Sequence, residues 1–189
     1  MNDQFRNPKR LKRDDTAVVV VDFQERMIPA MREGDSAVAE AAKLIKGAFA
    51  LGCPVLATQQ YTKGLGGSVR EIIEAFPQFS HIEKSSFSVM GEQGFVEALK
   101  GTGKKTVVVC GVEAHVCVLQ SALDMIEAGY DVFVATDAIS SRKARDEEPA
   151  VKRMIQSGIV PTTVESALFE LLEDDSKSGT FKAISKLIK

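Results

Sequence analysis

Five short apolar runs constrain this chain more than any other feature. They cover Ala17 to Val21, Pro54 to Thr58, Thr106 to Cys110, Asp131 to Ala135, and Ile159 to Thr163. Each is rich in valine, and none alternates with polar residues. A strand with one wet face alternates, so continuous apolar strands imply a parallel sheet covered on both faces. A weaker sixth strand is predicted near Phe79 to Glu83. Helical segments fall between the runs, at Ser36 to Leu51, Glu92 to Lys100, Glu113 to Ala128, and Ala144 to Ser157. Gly52, Gly129 and Gly158 stand where three of these helices must stop. The alternation predicts a three-layer α/β/α domain with right-handed crossovers.

The chain has 189 residues, 44% of them hydrophobic, which suits one globular domain over residues 1–189. Residues 1–13 are expected to form a solvated N-terminal arm, with a basic cluster at Lys9, Arg10, Lys12 and Arg13. Residues 173–189 are expected to be a tail. Within it, an acidic, serine-containing link precedes a short helix over Phe181 to Lys189, packed on the domain or on a partner subunit. Gln59 to Gly67 carries Gly64, Gly66 and Gly67 without apolar periodicity, and reads as a long functional loop.

Several function classes are disfavoured at once. A net charge of -2 and a pI near 5.8 give no bulk attraction for nucleic acid. No apolar run reaches transmembrane length and no signal-peptide core follows the N-terminal charges, so no membrane partner is expected. Cys53, Cys110 and Cys117 form neither a disulfide framework nor a paired metal motif, which points to a reducing cytoplasm. His81 and His115 are too few for a histidine metal site, and no dinucleotide or phosphate loop is present.

Open α/β sheets bind ligands beyond the carboxyl ends of their strands, where strand order reverses. Three polar residues fall there. Asp22 ends the first run, and is equally well read as a loop-binding carboxylate or as a group with a tuned pKa. Cys117 falls in the first turn of the helix after the third run. Free N–H groups and the positive dipole end there favour a thiolate and could serve an oxyanion. Taken alone, it is more readily a small buried hydrophobe, the reading that suits Cys53 and Cys110. Lys84 follows the weak strand and reads by itself as an ordinary surface lysine. His115 lies two residues before Cys117, a spacing that points the two side chains to different helix faces.

The segments Val-Val-Val-Asp-Phe-Gln around Asp22, Glu-Lys-Ser-Ser-Phe-Ser around Lys84, and Cys-Gly-Val-Glu-Ala-His-Val-Cys-Val around Cys117 occur in an ordered set. With Ala-Thr-Asp-Ala-Ile-Ser-Ser-Arg ending at Arg142, they resemble the isochorismatase-like cysteine hydrolase superfamily over roughly residues 14 to 170. That superfamily includes nicotinamidases and N-carbamoylsarcosine amidase. The resemblance implies a Rossmann-like, six-stranded parallel sheet in order 3-2-1-4-5-6. It implies a catalytic Asp22, Lys84 and Cys117, with Asp22 taking the thiol proton and Lys84 positioning Asp22. It also implies a non-proline cis peptide joining Val112 to Glu113, and oxyanion donors at the amides of Glu113 and Cys117.

Two departures narrow the activity. The nicotinamidase Asp-x-His metal set would fall where this chain reads Thr-Gln-Gln-Tyr-Thr-Lys-Gly-Leu-Gly-Gly, without histidine. True isochorismatases lack the nucleophilic cysteine, and Cys117 argues against their vinyl-ether hydrolysis. The Gln-Gln-Tyr-x-Lys-Gly-Leu-Gly segment resembles the isochorismatase-domain-containing branch. The expectation is a metal-independent cysteine hydrolase without cofactor, cleaving a small amide, ureido or related C–N bond through a thioester-type intermediate. Phe23, Gln24, Gln60, Phe87 and Ile139 are its candidate substrate contacts, and the family habit implies a homo-oligomer. A non-catalytic α/β scaffold or binding protein and a redox-sensing thiol protein are the competing readings.

Overall fold

The computed structural model describes residues 10–174 and 179–189. In chain order the elements are β1 (Thr16–Val21), α1 (Gly34–Leu51), β2 (Val55–Gln60), the short helices α2 (Thr62–Leu65) and α3 (Arg70–Ile73), and β3 (Ile82–Lys84). They continue with α4 (Gln93–Gly101), β4 (Thr106–Val112), α5 (Leu119–Glu127), β5 (Asp131–Ser140), α6 (Ala144–Gln156), β6 (Val160–Thr162), α7 (Val164–Leu172) and α8 (Gly179–Ile188). Among the described residues six strands form one sheet in the order β3-β2-β1-β4-β5-β6. Every pairing in it is parallel. The fold expected from the valine runs and from the resemblance is the fold observed.

The strands distribute their side chains with period two. Val18 and Val20 of β1, with Val108, Cys110 and Val112 of β4, pack under α1, α7 and α8. Ala17, Val19 and Val21, with Val107 and Val109, pack under α4, α5 and α6. Both faces are dry, so the runs need no polar alternation, and each valine buried contributes about 1.5–3 kcal/mol.

The outer expectations shift. Leu11 is buried in the α1 core and its N–H donates to Glu170 Oε1 at 2.9 Å. The solvated arm therefore does not run as far as residue 13; Lys9 of its basic cluster lies outside the described residues. At the other end, α8 buries Ile184 against α1 and α7, so the tail helix packs on the domain. Residues 175–178 of the expected link lie outside the described residues.

Two strands run past their apolar runs. β2 continues through Gln59 and Gln60, which pair with Glu83 and Lys84 of β3, so the expected long loop begins two residues later and contains α2. β5 continues to Ser140. Val109 lies opposite Val134 and Gly111 opposite Ile139, so two steps along β4 match five along β5. After this excursion β5 ends at Ser140, opposite Val112, and Ser141 and Arg142 follow beyond the end of the sheet.

Candidate active site

The centre of the site is the switch point between β1 and β4. Val21 and Gly111 are register partners there. Gly111 has φ 139°, and a Cβ on it would stand 2.2 Å from the Val21 carbonyl oxygen. Only glycine permits that approach. The next residue along β1, Asp22, turns the chain with φ 53°, a conformation that aspartate tolerates better than most residues. β4 ends at Val112, the Val112–Glu113 peptide is cis, and a π turn over Ala114–Val118 leads into α5. The Glu113 carbonyl accepts the N–H of Val116 at 3.0 Å and of Val118 at 3.2 Å. Cys117 lies in this wide turn, with 4% of its surface exposed.

Lys84, the last residue of β3, reaches across β2 to the same point. Its Nζ lies 2.7 Å from Asp22 Oδ2 and 3.6 Å from Cys117 Sγ. It also donates to Gln60 Oε1 at 2.5 Å and to the Ser86 and Phe87 carbonyls at 3.1 Å each. Both charged side chains of the Lys84–Asp22 pair are fully buried. Asp22 Oδ1 accepts a hydrogen bond from Thr58 Oγ1 at 2.8 Å. The three residues singled out from the sequence are thus brought together, although β3 stands two strands away from β1.

Burial pushes the Asp22 carboxyl above the usual carboxylate range, while the Lys84 charge and the hydrogen bonds from Lys84, Thr58 and Cys117 pull it back. The Cys117 thiol is pushed up to about 12, first by burial and next by the Asp22 charge, with Lys84 opposing less strongly. These influences favour the thiol over the thiolate. This corrects the expectation of a thiolate made by the helix start: desolvation and a neighbouring carboxylate outweigh the dipole.

Two of the expected substrate contacts, Phe23 and Gln24, are engaged by the protein itself. Phe23 is buried in the α1 core and presents no surface. Gln24 is fully buried, with Nε2 donating to the Gln60 and Gly66 carbonyls at 3.0 and 2.7 Å and Oε1 accepting the Gln60 N–H at 2.8 Å. It staples the end of β1 to β2 and to the turn after α2. Ile139 lies opposite Gly111 and packs in the same apolar cluster as Cys117. Gln60 holds Lys84 and donates to the Ser85 carbonyl at 2.8 Å. Phe87 is 55% exposed, and its carbonyl accepts a hydrogen bond from the Lys84 ammonium.

Thr58, whose Oγ1 donates to Asp22, is not among the residues singled out from the sequence. Thr58 ends the second apolar run and pairs with Val21, so a polar residue at a carboxyl-end position beside Asp22 was the available signal. Tyr61, 56% exposed, follows β2, and its N–H donates to the Lys84 carbonyl at 3.0 Å. Both histidines are engaged elsewhere. His81 stacks on Phe79 and lies 3.8 Å from Glu83, and His115 Nδ1 is 2.9 Å from Ser141 Oγ. Among the described residues no cluster of His, Cys, Asp and Glu is arranged to hold a metal ion.

A six-stranded parallel sheet in this order, with Asp22, Lys84 and Cys117 gathered at its switch point, is an α/β fold of the isochorismatase-like type. The chain belongs to the isochorismatase family, whose domain matches residues 16–166. The secreted isochorismatase effector Isc1 of Phytophthora sojae is 40% identical over 168 residues, 86% of this chain and 76% of that protein. Isochorismatase domain-containing protein 2 of Danio rerio is 35% identical over 95% of this chain and 89% of its own length. Among solved structures, the MAR1 ribonuclease of Caenorhabditis elegans superposes with a TM-score of 0.89 at 35% identity, over 95% of this chain and 92% of its own. The YcaC protein of Escherichia coli, an octameric hydrolase of unknown specificity, gives 0.89 at 30% identity, over 97% and 92%. Among the described residues no helix is long and apolar enough to cross a membrane.

Proposed function

We propose that this protein is a metal-independent cysteine hydrolase that cleaves a small amide, ureido or related C–N bond through a covalent intermediate on Cys117. One observation carries the proposal: a single buried ammonium, Lys84 Nζ, lies 2.7 Å from Asp22 and 3.6 Å from Cys117. In this reading Asp22 removes the thiol proton as Sγ attacks the carbonyl carbon. The neighbouring lysine then offsets the negative charge wherever it resides, on carboxylate or sulfur. Protonated Asp22 returns the proton to the departing nitrogen, so an amine or ammonia leaves and a thioester stays on Cys117. Water, deprotonated by Asp22, hydrolyses the thioester and restores the thiol. The amides of Glu113 and Cys117 are the proposed donors to the oxyanion. A site that favours the thiol suits this scheme, because the proton moves only as the C–S bond forms.

Gln60, Phe87 and Ile139 remain proposed substrate contacts, joined by the exposed Tyr61 that follows β2. Assembly as a homo-oligomer is proposed from the octameric neighbour, and a reducing cytoplasm from three free thiols. The test is an activity screen over small amides and ureido compounds, reading ammonia release, with an RNA substrate alongside because one neighbour is named a ribonuclease. Turnover of a small amide that disappears in Cys117→Ala is the expected result. Turnover retained in Cys117→Ala removes the covalent mechanism, and cleavage of RNA alone replaces the substrate class.

A further inference from the structure

The side chains that flank the proposed oxyanion donors all reach to one short segment. Glu113 Oε2 accepts hydrogen bonds from Arg142 Nε at 2.9 Å and from the Arg142 backbone N–H at 3.2 Å. Two residues further along the turn, His115 Nδ1 lies 2.9 Å from Ser141 Oγ. Ser140 and Ser141 are themselves buried and fixed from the other side. Ser140 Oγ accepts the Glu33 N–H at 3.3 Å, and the Ser141 carbonyl accepts the Arg32 N–H at 3.1 Å. The turn that presents Cys117 is therefore clamped at Glu113 and His115 by consecutive residues beyond the end of β5. The Glu113 carboxylate is 10% exposed, so it is held in a largely dry setting, with the Arg142 Nε and backbone N–H converging on its one oxygen Oε2.

We infer that Arg142 is a positioning residue for the oxyanion site, acting through the Glu113 carboxylate to fix the direction of the Glu113 amide relative to Cys117. The inference rests on the proposed cysteine-hydrolase reading. Arg142 then contributes to formation of a tetrahedral intermediate, which needs aligned amides. It contributes nothing to the intrinsic reactivity of the sulfur, which is governed by Asp22, Lys84 and burial.

These two properties separate experimentally. Alkylation of Cys117 by iodoacetamide displaces iodide at a saturated carbon and builds no oxyanion. Acylation by p-nitrophenyl acetate passes through one, and releases p-nitrophenolate as the acetyl group joins Cys117. The expected result for Arg142→Met is an acylation burst slowed by about tenfold or more, with the alkylation rate of Cys117 within about twofold of wild type. Arg142→Lys keeps the charge and the backbone N–H donor but loses the Nε donor, and should recover only part of the burst rate. Glu113→Gln, the same in shape, is the second variant and should show the same split if Arg142→Met fails to fold. Equal burst rates in wild type and variants overturn the inference, as do parallel losses of acylation and alkylation. Failure of every variant to fold also overturns it, since the pair is then structural. A wild-type protein without a Cys117-dependent burst overturns the hydrolase reading itself, a distinguishable outcome.

Discussion

Replacing Lys84 with methionine should show how the buried charge is held. The ammonium is fully buried, and so is the Asp22 carboxylate 2.7 Å away. Methionine fills a similar volume but leaves Asp22 without its counter-charge and the Gln60, Ser86 and Phe87 oxygens without their donor. Removing one partner of a buried pair costs about 3–5 kcal/mol. For a chain of this size that lowers Tm by roughly 10 °C. Asp22 has one escape, which is to take up a proton. Burial already raises its pKa in the intact site, and loss of Lys84 removes the largest opposing influence. The native variant would then bind a proton that its unfolded chain releases. Its stability therefore falls as pH rises from the ordinary aspartate range through the raised folded value, by at most about 1.4 kcal/mol per pH unit. Urea melts at pH 5 and pH 7.5 measure this, and the deficit against wild type should be smaller at pH 5. The decisive comparison is Asp22→Asn/Lys84→Met, where no carboxylate is left stranded. Lys84→Met should cost much less in the Asp22→Asn background than alone. Equal cost in both backgrounds would refute the argument that the lysine is there to hold a buried carboxylate.

Asp22→Asn by itself should split reactivity from turnover. The Asp22 charge helps hold the thiol near 12, so its removal lowers the thiol pKa and speeds alkylation of Cys117 at pH 8. Turnover should nevertheless be lost with the base; slower alkylation would contradict the assigned cause of the shift. Gln24→Leu strands the Gln60 N–H and the Gln60 and Gly66 carbonyls in a buried setting, and should cost about 1–3 kcal/mol in urea melts. Its relative rates among amide substrates should stay as in wild type, since Gln24 touches only the protein.

The sheet was legible because its strands are buried on both faces. Valine runs such as Ala17 to Val21 carry that information directly, and the family resemblance supplied the strand order. The ends of the strands were not legible. Gln59 and Gln60 read as loop residues because strands covered on both faces are recognised by apolar runs. Here their side chains are satisfied by Ser68, Lys84 and Ser85 instead of by solvent. Phe23 and Gln24 adjoin a candidate catalytic residue in sequence, which made them look like ligand contacts. The turn at Asp22 sends one into the core and the other into a staple. The thiol posed a different difficulty. A helix start can be read from spacing, but desolvation and the Asp22 charge depend on which strands become neighbours. A local rule therefore predicted the wrong direction of shift.

The excursion in β5 acts as a ruler. Five residues there match two in β4, and the count sets which of Ile139, Ser140, Ser141 and Arg142 faces the turn that presents Cys117. Regular alternation is broken inside the excursion, since Ala135 and Ala138 share one face and Val134 and Ile139 the other, so a change of length within Ala135–Ala138 would reset the side that each later residue takes. Ile139 would leave the apolar cluster around Cys117, and Arg142 would turn away from Glu113. Length in this stretch should therefore stay fixed among natural relatives wherever the Glu113–Arg142 pair is kept.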